Sequence, residues 1–248
     1  MRVLRMLVAL VLVFASRERA QSQQRYLGAV AGISTLSADA QTSITANVTA
    51  VSLYRPFNGP ALNVFGGIHL TDLLTLQGNY VYNANDLTAV STRLSEGREE
   101  LFEQRRRSTQ HGVIGDVLIY FRNRQSWARP YLSSGGGSVR FRSAAQDVVS
   151  LRGAPDLLPN KFTSTAPALR VAVGIDLTFR AGWAVRYSFS ETIRGNPVSS
   201  RLTPAGERNL ANFQNLFGVV KLFRSEKHSA AGPQPKRTHR RDAEDSEF

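Results

Sequence analysis

Cysteine is absent from the 248 residues, which excludes disulfide frameworks, thiolate metal sites and a lipidated cysteine. Histidine is nearly as scarce. His69, His111, His228 and His239 stand at no metal-ligand spacing, so neither a zinc site nor any other metal or cofactor is expected. No long segment carries apolar residues at the three-and-four spacing of a helix, which removes helical bundles and α/β folds. Acidic residues number 19 against 31 basic ones, for a net charge of +12. That surplus favours contact with polyanions, either nucleic acid or a phosphate-bearing membrane surface.

What is present begins with an export signal. Arg2 and Arg5 precede an apolar core of about ten residues from Met6 to Ala15, and a polar stretch follows. A core that short falls below the ~20 residues of a spanning helix, so residues 1–20 are expected to be a cleaved signal peptide, cut after Ala15 or Ala20. Export argues against nucleic acid as the polyanion. Residues 224–248 mix both charges with Pro and Gly and are expected to form a disordered periplasmic tail.

Between these ends the pattern has period two. In LRVAVGIDLTFRAGWAVRYSFSET, Leu169 to Thr192, the residues Leu169, Val171, Val173, Ile175, Leu177 and Phe179 alternate with Arg170, Gly174, Asp176 and Thr178. After Gly182 the alternation resumes with Trp183, Val185, Tyr187 and Phe189. Eight such strands are expected, near residues 26–37, 61–70, 73–83, 109–121, 130–142, 166–179, 183–194 and 213–223. At about 10 to 14 residues they suit a tilted bilayer crossing better than a soluble sheet. Short turns at 71–72, 123–129 and 180–182 alternate with polar loops of about 20 residues at 38–60, 84–108, 143–165 and 195–212. All long connections therefore fall at one end, which is the plan of an outer-membrane barrel with short periplasmic turns and long outer loops.

In hydrocarbon every unpaired backbone group costs several kcal/mol, so the sheet must close on itself. Closure gives each strand a lipid face and a lumen face. Arg186 at mid-depth would cost roughly 2 to 4 kcal/mol facing lipid, so it is placed inside. A three-residue turn at 180–182 with Gly182 left-handed pairs Phe179 with Trp183 and sets Asp176 opposite Arg186 as a lumen ion pair. Gln77, Asn79, Asp116, Arg140, Arg142 and Arg170 are expected in the lumen as well. Tyr26, Phe121, Tyr131, Phe179, Trp183 and Phe223 are expected in the periplasmic aromatic girdle, and Tyr82, Phe141 and Phe213 in the outer one. Lys221 shares the outward phase near a strand end and can snorkel.

Strong chemistry is lacking. Gly135, Gly136 and Gly137 are followed by no Lys-Ser/Thr and open no helix, so close strand packing explains them better than a phosphate loop. Ser108, His111 and Asp116 form the one catalytic-looking cluster, but His111 and Asp116 stand five positions apart on one strand and face opposite sides. No enzyme is expected; a lipid A-modifying activity is the weaker alternative. The segment EGREELFEQRRRS, Glu96 to Ser108, is the densest charge cluster, and Arg105, Arg106 and Arg107 are candidate contacts for lipopolysaccharide phosphates.

The signal, the eight alternating strands, PYLSSGGGSVRF in the fifth and the final NLFGVVKLF ending in Phe223 resemble the small outer-membrane β-barrel superfamily typified by the membrane domain of OmpA. The resemblance covers residues 26–223 and implies an all-β, eight-stranded antiparallel up-and-down barrel, taken here as 21–223, in the bacterial outer membrane. It further implies recognition by the barrel-insertion machinery through a terminal aromatic, Phe223 or Phe248. A barrel this small is filled by its own side chains. The expected function is that of a monomeric integral envelope protein working through its loops, on outer-membrane lipids, lipopolysaccharide or an external partner. A narrow porin-like channel is the alternative.

Overall fold

The computed structural model describes residues 24–45, 48–151, 158–180 and 182–223. The expected signal peptide, the charged tail and Ala181 lie outside them. Ten strands follow in chain order: β1 (Arg25–Leu36), β2 (Asp39–Thr45), β3 (Val48–Pro56), β4 (Gly59–His69), β5 (Leu74–Ser95), β6 (Arg98–Tyr120), β7 (Ala128–Leu151), β8 (Lys161–Arg180), β9 (Trp183–Gly195) and β10 (Asn209–Phe223). Eight of them close a ring in the order β5-β4-β1-β10-β9-β8-β7-β6, with β6 returning to β5. Every pairing is antiparallel. β2 and β3 form a further hairpin laid against the upper half of β5.

Closure has a fixed stagger. A row of paired residues runs from Arg25 through Ile68, Leu76, Val117, Ser134, Val171, Glu191 and Phe213 and returns to β1 at Thr35, ten residues along. Eight strands with that shear tilt by about 40°, so a step along a strand rises roughly 2.5 Å and a step across to the next roughly 3 Å. On that scale the exposed rings of Phe121, Trp183 and Phe223 lie at one level. Tyr82 and Phe213, on opposite sides of the ring, share another level roughly 22 to 25 Å higher, the height of an apolar band between aromatic girdles. Exposed Leu27, Val64, Leu76, Val113, Val171, Val173, Phe189 and Phe217 fill the band between them.

The long connections differ from expectation. Polarity at 84–108 predicts a loop, yet β5 and β6 run on as one ladder to a turn at Glu96 (φ 49°) and Gly97 (φ 74°). The first connection is likewise the β2–β3 hairpin, and β7 extends to Leu151. Above the membrane both faces of a strand can meet water, so polarity ceases to mark where a strand ends. Among the described residues the upper sheet is not closed: β2 pairs with β3 alone, and residues 161–167 of β8 pair with β7 alone.

Residues 196–208 fill that gap. Val198 and Leu202 pack with Leu36, Tyr54, Leu87, Ala89, Phe141, Leu158, Phe162 and Leu210 into a core above the membrane. The segment is tied across the mouth by Ser52 Oγ–H to Pro204 O (2.6 Å), Ser91 Oγ–H to Thr203 O (2.9 Å) and Glu207 N–H to Asp39 Oδ2 (2.7 Å). Phe141, expected in the outer girdle, is fully buried in this core.

The turn between β8 and β9 is tighter than expected. Gly182 is left-handed (φ 81°), but Arg180 rather than Phe179 pairs with Trp183, and the register shifts between Thr178 and Arg180. That shift restores the pairing of Asp176 with Arg186.

Candidate functional site: the lumen and its cap

Inward residues of the lower lumen converge on Arg186. Its Nε donates to Asp176 Oδ1 (2.6 Å), Nη2 to Asp176 Oδ2 (2.8 Å) and to Tyr120 Oη (2.9 Å), and Nη1 to Gln77 Oε1 (2.7 Å). The guanidinium also lies 4.5 Å from the ring of Phe65, 4.9 Å from Tyr131 and 5.6 Å from Tyr26. Tyr26 and Tyr120 complete the cluster by donating to Gln77 Oε1 and Asp176 Oδ2, each at 2.8 Å. A bidentate carboxylate together with aromatic faces is what a desolvated guanidinium requires.

The network continues upward without a break. Gln77 Nε2 donates to Asn79 Oδ1 (2.7 Å), Asn79 Nδ2 to Asp116 Oδ2 (3.0 Å), and Arg170 Nη1 to the same Asp116 oxygen (2.8 Å). Asn63 Nδ2 donates to Asn79 from the neighbouring strand (3.1 Å). Ser190, Gln214 and Asn83 form a further polar layer above. The cavity beside Arg170, Arg186, Gln77, Ser133 and Ser188 measures about 10 Å³, near the lower bound for one water molecule.

Two aromatics placed by sequence in the girdle are in fact luminal. Tyr26 and Tyr131 are buried inside, while Phe121, Phe179, Trp183 and Phe223 face outward. Their phase is opposite to the neighbouring Leu27 and Leu132, and the cation of Arg186 gives them an interior partner. Arg140 and Arg142 require the reverse correction. Both are exposed on the outer wall, in the phase of Leu132, while Val139 and Phe141 point in. Lys221 faces outward with its Nζ 4.7 Å from the Trp183 ring.

The expected arginine triplet is split by strand alternation. Arg105 and Arg107 are exposed on the outer face. Arg106 is buried inside and cannot reach an external phosphate. It donates to Ser143 Oγ (2.9 Å), to Pro159 O (2.9 Å) and to Gln104, with Phe162 4.9 Å away. Burial, and then the charge of Arg201, lower its pKa to about 10. Arg194, which polarity alone did not single out, is held by Val139 O (3.1 Å) and Ser164 Oγ (3.2 Å). Nor does the structure bring Ser108, His111 and Asp116 together: Ser108 and Asp116 face the lumen, whereas His111 faces outward and meets Tyr80 Oη at 2.8 Å.

A family described as outer membrane protein beta-barrel domain matches residues 6–216, and the chain belongs to it. It is thus a bacterial outer-membrane β-barrel protein. Among solved structures the chain is similar to Neisserial surface protein A (TM-score 0.44, 15% identity, 80% of this chain and 97% of that one). It is also similar to OprG from Pseudomonas aeruginosa (TM-score 0.46, 9% identity, 82% and 97%) and to Ail of Yersinia pestis (TM-score 0.41, 7% identity, 82% and 100%). No curated protein matches it in sequence.

Proposed function

We propose that the chain is a non-conducting structural barrel of the outer membrane that acts through its extension above the bilayer and carries no catalytic site. The observation that carries this reading is the occupied lumen. Arg186, Asp176, Tyr120, Gln77, Asn79, Asp116 and Arg170 cross-link four strands, β5, β6, β8 and β9, through the lower and middle barrel. Residues 196–208 then cover the mouth over an apolar core. A solute would have to break several charge-assisted hydrogen bonds at once and displace that core.

The extension supplies surface for contact with other molecules. Val51, Leu53, Leu94 and Val149 are exposed on its outer wall, and the outer edge of β2 has no strand partner among the described residues. Planar-bilayer recording of the folded chain tests the reading: no steady current is expected, and a stable single-channel step would instead establish the porin-like alternative.

A further inference from the structure

One facet of the outer wall is unlike the rest. Immediately above Tyr82, paired rows on β6, β7 and β8 place His111–Arg140–Thr165, then Thr109–Arg142–Thr163, then Arg107–Ala144–Lys161, all facing outward. Arg107, Arg140, Arg142, Lys161, Thr163 and Thr165 are exposed. By the tilt of the strands, Arg140 lies roughly 6 Å and Arg142 roughly 11 Å above the outer aromatic level, where lipid headgroups meet the barrel. Tyr80 and Tyr82 pack on His111 beneath them, with ring centroids 6.3 and 5.1 Å away.

The charges on this facet are not internally balanced. Among the described residues, ion pairs form at Arg124, Arg170 and Arg186, and none at Arg107, Arg140, Arg142 or Lys161. Asp86 stands across from Arg107, and Asp147 across from the higher Arg105. The residues paired directly with Arg140 and Arg142 are His111, Thr109, Thr165 and Thr163, an imidazole and three hydroxyls. At the level of Arg140 the other side of the barrel presents Thr35, Pro60, Gly195 and Ala211, and the exposed cations above them, Arg55 and Arg208, stand singly rather than in a cluster.

We propose that this facet binds the phosphates of a membrane-anchored glycolipid of the outer leaflet. Arg140 and Arg142 stand two residues apart on one face, roughly 7 Å, and each guanidinium can take two oxygens of a phosphate. Thr109, Thr163 and Thr165 add hydroxyl donors on either side, and Lys161 and Arg107 bound the site from above. The ligand's acyl chains lie along Tyr80, Val113 and Leu169 below. The occupant is a lipid because the facet faces sideways into the headgroup layer rather than upward into the medium.

Binding of lipopolysaccharide to the full chain folded in detergent tests the assignment. Arg140→Gln with Arg142→Gln is expected to weaken it about tenfold or more. Arg25→Gln with Arg122→Gln, an equal charge change at the periplasmic end, is expected to leave it within about twofold, as befits exposed charges remote from the site. Equal binding by the Arg140/Arg142 variant and the unaltered chain overturns the proposal. Should that variant not fold, the unaltered chain still decides: enzymatically dephosphorylated lipopolysaccharide is expected to bind weakly, and undiminished binding overturns the site. Inorganic polyphosphate binding as tightly as lipopolysaccharide overturns the lipid assignment.

Discussion

Arg170 and Arg186 in the lower lumen and Arg106 and Arg194 in the mouth are buried to the same depth, none more than 3% exposed. Their partners differ in kind. The lower pair each meet a carboxylate, Asp116 and Asp176, at 2.8 and 2.6 Å. The upper pair are held by carbonyls and hydroxyls and lie against Phe162 and Phe141, with no acid within ion-pair distance among the described residues. Inside the bilayer a bare charge has oil on every side, so an opposite charge is needed to hold it. Above the bilayer, dipoles and ring faces suffice because water lies just beyond the cap. The same side chain is thus neutralised by an acid below and held by dipoles and ring faces above.

That contrast can be broken most severely from below. Arg186→Ala strands Asp176 in the lumen and is expected to cost about 3–5 kcal/mol, and adding Asp176→Ala is expected to recover part of the loss. Urea unfolding in lipid vesicles, read by heat-modifiable migration on gels, measures both; a single variant no worse than the double would mean that the pair is not coupled. In the cap, Leu202→Ala is expected to cost about 2–4 kcal/mol locally. Its readout is protease cleavage within 196–208 while the ring keeps its folded mobility, since the cap and the ring would open separately.

The smallest effect concerns pH. Burial works against ionised Asp39, but hydrogen bonds from Ser199, the Glu207 N–H and Gln41 outweigh it and hold the carboxyl below its usual range. A depressed folded pKa stabilises above the ordinary carboxylate value, and the contribution disappears as pH falls through the lowered one. Cleavage of the cap is therefore expected to rise only below about pH 4. Asp39→Asn is expected to raise cleavage about twofold at neutral pH, the scale of a part-exposed group, and to flatten the dependence.

Much of the ring was legible because oil enforces alternation. From Leu169 to Phe189 the lipid face, the left-handed Gly182 and the opposition of Asp176 to Arg186 could all be read directly. The reading failed where phase was inferred from residue type. PYLSSGGGSVRF carries no lipid-facing run, so polarity sent Arg140 and Arg142 inward and aromaticity sent Tyr131 outward, each the reverse of the strand's true phase. Counting from Leu132 would have placed all three. The cap was illegible for another reason. Val198 and Leu202 are two apolar residues in a polar stretch, and their partners come from strands as distant as β3 and β7.

The ring is sealed by β1 against β10, from Arg25 on Phe223 to Leu36 on Asn212. The first and last strands are neighbours in space but nearly two hundred residues apart in the chain. Until the final strand docks, Val30 and Phe65 lack the neighbours Leu216 and Val220 with which they share a core. Assembly is therefore slow and dominated by distant pairings. A chain halted before β10, the fifteen residues Asn209–Phe223, would be left with two raw edges in a solvent that tolerates neither.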